Sequence, residues 1–74
     1  MYPQPATSEV VIELSSNQKH LSVELYNILG ELITTESQRN TNKLTLNIES
    51  IQSGIYTIVI NGDKEKGVKK LIKD

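Results

Sequence analysis

Seventy-four residues, 36% of them hydrophobic and 23% charged, carry a formal net charge of -1 and no cysteine. That describes one small domain without disulfides or thiolate chemistry. The near-neutral balance speaks against nucleic acid, which calls for a strongly basic face, and no apolar run approaches the roughly 20 residues of a membrane-spanning helix. A chain of this size buries only about 60% of the surface its unfolded form exposes, so its stability margin is thin. With no Trp or Phe and three Tyr, the core must come from Ile, Leu and Val, whose stiff branched side chains favour strands.

In chain order, Pro3 and Pro5 fix φ, remove two backbone donors and push their predecessors extended, which predicts an arm over residues 2–6 along a sheet edge. Met1 runs straight into this arm with no charged and apolar leader pattern, and the expectation is a piece cut from the end of a longer exported protein. Thr7-Ser8 reads as a turn. Residues 9–14 alternate, with Val10, Ile12 and Leu14 on one face, and predict a half-buried strand. Residues 15–20 are polar and read as a loop. Residues 21–26 alternate again, with Leu21, Val23 and Leu25 inward. Gly30 supplies a turn or bulge, and residues 31–35 resume as a strand. A helix over residues 21–33 is the competing reading, since Leu25, Ile28, Leu29 and Leu32 fall at helical spacing. Gly30 inside it and the lack of a cap argue against it.

Residues 36–42 read as a polar loop. Residues 43–48 form another strand, with Leu44, Leu46 and Ile48 on one face. Residues 49–54 make a corner whose Ile51 plugs the end of the core. Residues 55–61, apolar on both faces except at Thr57, read as a central strand. Asn61-Gly62 is a hairpin-turn signal. Residues 68–73 close the sheet as an edge strand, guarded by lysines. The prediction is an all-β sandwich of six short, mostly antiparallel strands, seven with the proline arm, in a single domain with the sandwich over residues 9–73.

Chemistry-bearing residues are scattered. His20 stands alone in a predicted loop, with no second His and no Cys to complete a metal site. The carboxylates spread over strand exteriors and loops, and Glu9 and Glu13 share a strand face without a cleft. Asn61-Gly62-Asp63 lacks the ligand series of a calcium loop. Ser15, Ser16 and Ser53 have no triad partners, and the glycines are isolated. The expectation is a protein that is not an enzyme and holds no cofactor or metal. The one charge feature is the lysine set at 64, 66, 69, 70 and 73. It reads either as a solvated hairpin or as a recognition strip, in which Lys69, Lys70 and Lys73 flank an unpaired strand edge that a partner could extend.

Tyr2-Pro3-Gln4-Pro5-Ala6, Val10-Val11-Ile12-Glu13-Leu14, Val23-Glu24-Leu25-Tyr26-Asn27-Ile28-Leu29-Gly30-Glu31-Leu32, Ser53-Gly54-Ile55-Tyr56 and Lys69-Lys70-Leu71-Ile72-Lys73 follow one another along nearly the whole chain. In that order they resemble the C-terminal sorting domain of the type IX secretion system, type A. Gln4 stands where the family usually has Asn, Asn27 where it often has Asp, and Asp74 where a basic residue is common.

The resemblance implies an immunoglobulin-like β-sandwich that ends a cargo protein. It implies a cargo that passes through the periplasm and reaches the cell surface or the medium. The implied partners are the outer-membrane translocon, a shuttle protein and a surface sortase that removes the domain. Nucleic acid and direct membrane insertion are not implied, and a weak homodimer through edge strands is the self-association to expect. Recognition would fall on Lys69, Lys70, Leu71, Ile72 and Lys73, with Gly54, Tyr56, Pro3 and Pro5. The competing class is a non-catalytic β-sandwich module that binds carbohydrate or protein, or merely spaces domains, in a secreted protein.

Overall fold

Alternating hydrophobicity does produce strands here, but four long ones in place of six short ones. The computed structural model describes residues 8–74. They form β1 (Glu9–Tyr26), β2 (Leu32–Asn47), β3 (Gly54–Gly62) and β4 (Lys66–Lys73), with no helix among the described residues. The four make one antiparallel sheet in the order β2-β1-β3-β4. The all-β, antiparallel class is as expected; four strands in one sheet stand among the described residues where six or seven were expected, and residues 15–20 and 36–42, expected as loops, are strand. The proline arm lies outside the described residues.

Both supposed loops are stretches where a long strand bends. Eighteen residues of straight strand would span about 60 Å at ~3.3 Å per residue, whereas the longest dimension of the molecule is 32 Å. β1 therefore turns sharply. The bend falls where Glu13 faces Lys43 but Gln18 already faces Thr41, so residues 14–17 of β1 are set against Asn42 alone. Such a bulge bends its strand and leaves backbone groups needing partners. Asn42 Nδ2 donates to the Leu14 carbonyl at 3.2 Å. On β2 the bend is helped by Asn40, whose φ of 54° is left-handed, a conformation Asn tolerates better than most residues.

Folding the sheet over brings its two arms together. Val10 and Ile12 of β1 and Leu44, Leu46 and Ile48 of the β2 arm join one buried cluster with Leu21, Val23, Leu25, Tyr56, Ile58, Ile60 and Leu71. Across the β1–β3 seam, Val23 faces Ile60 and Leu25 faces Ile58. β3 is central in hydrogen bonding, with β1 on one side and β4 on the other. Its outer face stays open, however: Ile55 is exposed and Val59 half-buried.

The corner between β2 and β3 is held by side-chain caps. Asn47 Oδ1 accepts the Glu49 N–H at 3.0 Å, and the Ile51 N–H donates to the Ile48 carbonyl at 3.3 Å. Ile51 is half-buried against the core, as its position in the sequence suggests. The Tyr56 hydroxyl donates to the Gln52 carbonyl at 2.6 Å and ties the corner to β3. Gly54 enters β3 with a φ of +155°, a conformation that favours glycine.

Candidate recognition surface

β4 places its lysines on both faces of the sheet. Lys69 faces Ile58 and Lys73 faces Gly54, on the side of the buried Leu71, while Lys70 faces Thr57 on the outer side with Ile72 and Val68. The five residues expected to be recognised are therefore a strip along one strand, not a patch on one face. Lys69, Lys70 and Ile72 are exposed, Lys73 is half-buried, and Leu71 is fully buried and anchors the strand. Lys70 and Ile72 both have partners within the fold. On the outer face Ile55 stands opposite Ile72 and Val59 opposite Val68.

Gly54 and Tyr56 belong to a different neighbourhood. They help line a hollow of about 640 Å³ whose aliphatic wall comes from Ile28, Leu29, Ile33, Ile51 and Ile55. Ile28 and Leu29 sit at the tip of the turn between β1 and β2, and they are 79% and 81% exposed. The turn is built by one side chain. Asn27 Oδ1 accepts the N–H groups of Leu29 at 2.9 Å and Glu31 at 3.0 Å, and Asn27 Nδ2 donates to Glu31 Oε1 at 2.8 Å. The main chain adds bonds from Gly30 N–H to the Asn27 carbonyl and from Asn27 N–H to the Glu31 carbonyl, both 3.0 Å. Gly30 closes the turn at a φ of +84°. Sequence reasoning missed Ile28 and Leu29 as surface groups; the available signal was an Asn-x-x-Gly turn carrying two aliphatic residues where a turn is normally polar.

A polar clasp joins the β1 bulge to the β3–β4 hairpin. Gln18 is fully buried, yet its amide is satisfied. Nε2 donates to the Ser16 carbonyl at 2.9 Å, and Oε1 accepts the Lys64 N–H at 2.7 Å and the Glu65 N–H at 3.3 Å. Glu65 Oε1 accepts the Ser15 hydroxyl and, at 3.1 and 3.2 Å, the N–H and hydroxyl of Ser16. The Ser15 hydroxyl above all, with Ser16 beside it, holds the Glu65 carboxyl below its ordinary range against an opposing effect of desolvation. At Asp63, desolvation pushes upward. The N–H groups of Asp63 itself, Lys19 and His20, with the Lys64 charge, outweigh it and leave the carboxyl lowered. The Ser15 and Ser16 hydroxyls are thus spent on structure. Among the described residues no three His, Asp or Glu side chains gather into a metal site.

The family model described as the secretion system C-terminal sorting domain matches residues 1–74, the whole chain. The chain belongs to the type IX C-terminal sorting domain family. No curated protein matches it. No solved structure does either. Membership implies that the sorting domain interacts with the secretion machinery and serves a protein that crosses to the cell surface or the extracellular space. Ser53–Tyr56 and Asn27–Leu29, from the segments that carried the resemblance, supply seven of the thirteen residues that line the hollow.

Proposed function

We propose that this chain is the C-terminal sorting signal of a cargo protein, read as a folded domain by the outer-membrane translocon and its shuttle protein after passage through the periplasm. A surface sortase then removes the domain. The observation that carries this reading is the family match along all 74 residues. The recognised side chains on β4 are Lys69, Lys70 and Lys73, held in place by Leu71 and Ile72; Gly54 and Tyr56 fix the start of the neighbouring strand. Pro3 and Pro5 complete the set as the arm that leads into the domain. The charge of the lysines is long-ranged enough to steer an encounter with an acidic receptor, which makes them a first contact rather than a deep anchor.

The test is a reporter fused ahead of the intact chain in a host with type IX machinery. The reporter should appear at the surface or in the medium, and should stay in the periplasm of a strain lacking the translocon. Changing Lys69, Lys70 and Lys73 together to Gln, with the fold checked by circular dichroism, should lower the exported fraction. A folded triple variant exported at the level of the parent removes lysine charge from the signal. An intact domain that leaves its reporter in the periplasm of the competent host overturns the sorting role itself.

A further inference from the structure

The turn tip and the hollow beside it combine exposed aliphatic groups with an uncharged lining. Thirteen residues line the hollow and none is charged, although 23% of the chain is. At its mouth stand Ile28 and Leu29, the two most exposed large hydrophobic residues of the described chain. They cannot retreat: the Asn27 amide and the backbone bonds to Gly30 and Glu31 fix the turn that carries them. Exposed aliphatic side chains on a self-satisfied turn lose little conformational freedom when they are covered, which is the usual property of an interface anchor. Two exposed aliphatic side chains thus stand beside an uncharged hollow, whose lining is partly aliphatic and partly neutral polar.

We propose that Ile28 and Leu29, with the hollow formed by Ile33, Ile51, Ile55 and Tyr56, dock a short, uncharged, apolar segment of a protein of the secretion machinery. This inference rests on the sorting role proposed above and adds to it a surface that adjoins the lysine strip, since Ile55 pairs with Ile72. The absence of charge in the lining selects an uncharged occupant, since a buried unpaired charge opposite it would be costly. The size selects a segment and not a second copy. The thirteen residues that line the hollow fall short of the roughly 20–30 a side that a stable dimer uses. A small apolar contact is also readily released, as a carrier that must let go of its cargo requires.

The experiment uses the same reporter fused ahead of the full chain, in a host with type IX machinery. Ile28→Ser combined with Leu29→Ser should lower the exported fraction at least ten-fold and leave the reporter in the periplasm. Ile55→Ser, inside the hollow, should do the same. Val68→Ser, which removes an aliphatic side chain 67% exposed on the outer face of β4, should export like the parent. The purified variants should melt near the parent temperature; if the double variant does not fold, Leu29→Gln alone carries the test. A folded tip variant exported at the parental level overturns the docking surface while the sorting role stands, because the parent is exported in the same experiment. A parent that is not exported overturns the sorting role instead. Sedimentation gives the remaining outcome: a purified domain that is dimeric, and that the tip substitutions make monomeric, assigns this surface to self-association and overturns the proposal.

Discussion

At Gly62 a single methyl group would decide whether two elements fit. Asn61-Gly62 reads in sequence as the two centre residues of a hairpin turn, a place that demands positive φ. In the structure both residues are still in β3, Asn61 pairs with Lys66, and the chain turns over residues 63–65, closed by a 2.7 Å bond from the Gly62 N–H to the Glu65 carbonyl. The glycine is needed for space. A Cβ at 62 would lie 2.5 Å from Gln18 Oε1 and 2.8 Å from the Glu65 carbonyl oxygen. The Gln18 side chain lies 44 positions upstream, beyond the reach of any local pattern, while the Glu65 carbonyl belongs to the hairpin itself. Gly67 is the contrast: nothing lies within 4 Å of a Cβ there. Gly62→Ala should therefore destabilise by about 1–3 kcal/mol through overpacking, and Gly67→Ala should stabilise by about 0.4–1 kcal/mol through the unfolded chain. Thermal melts of the two variants should shift in opposite directions, at about 4–8 °C per kcal/mol for a domain of this size. Shifts of the same sign and size would count against the close approach of Gln18.

At the scale of elements, what the sequence made legible was the inward face of each strand. The alternations at 10–14, 21–25, 44–48 and 56–60 place residues that the structure buries or half-buries. What it hid was continuity. Residues 36–40 carry no apolar side chain because β2 is exposed there on both faces, and a strand exposed on both faces cannot be told from a loop by periodicity. Residues 15–20 looked like a loop because the polar groups they carry form the clasp with the β3–β4 hairpin. That clasp makes an acid-sensitive contribution. The Glu65 and Asp63 carboxyls are both lowered in the fold, so the unfolded chain takes up protons first. Their stabilisation is present above pH 4.5, the ordinary value of the Glu65 carboxyl, and is lost as pH falls through the lower folded values. Glu65→Gln keeps the shape and removes the charge at every pH. Its melting temperature should lie below the parent at pH 7, and the gap should close towards pH 3. Parallel melting curves from pH 7 to pH 3 would mean that Glu65 adds nothing through its charge.

For the whole molecule the order β2-β1-β3-β4 means that two local hairpins, β1–β2 and β3–β4, share backbone pairing only along the β1–β3 seam. Periodicity is blind to such an order, which is why the strands could be read and their arrangement could not. The seam is also where backbone groups are best protected. Residues 21–26 of β1 lie between β2 and β3, and residues 57–61 of β3 lie between β1 and β4, with Leu21, Val23, Leu25, Ile58 and Ile60 in the core beneath them. Residues 36–39 of β2, by contrast, are exposed and pair only with β1. A small domain has a total stability of about 4–11 kcal/mol at ~0.05–0.15 kcal/mol per residue, and only amides that open with the whole fold report all of it. Amide hydrogen exchange should therefore be slowest at Val23, Leu25, Ile58 and Ile60, and faster on the order of 100-fold or more at Ser37–Arg39, which can open without parting the two hairpins. If 37–39 exchanged as slowly as the seam, the polar stretch of β2 would be an integral part of the cooperative fold and not its loose margin. The seam would then no longer be the joint on which the domain's stability depends.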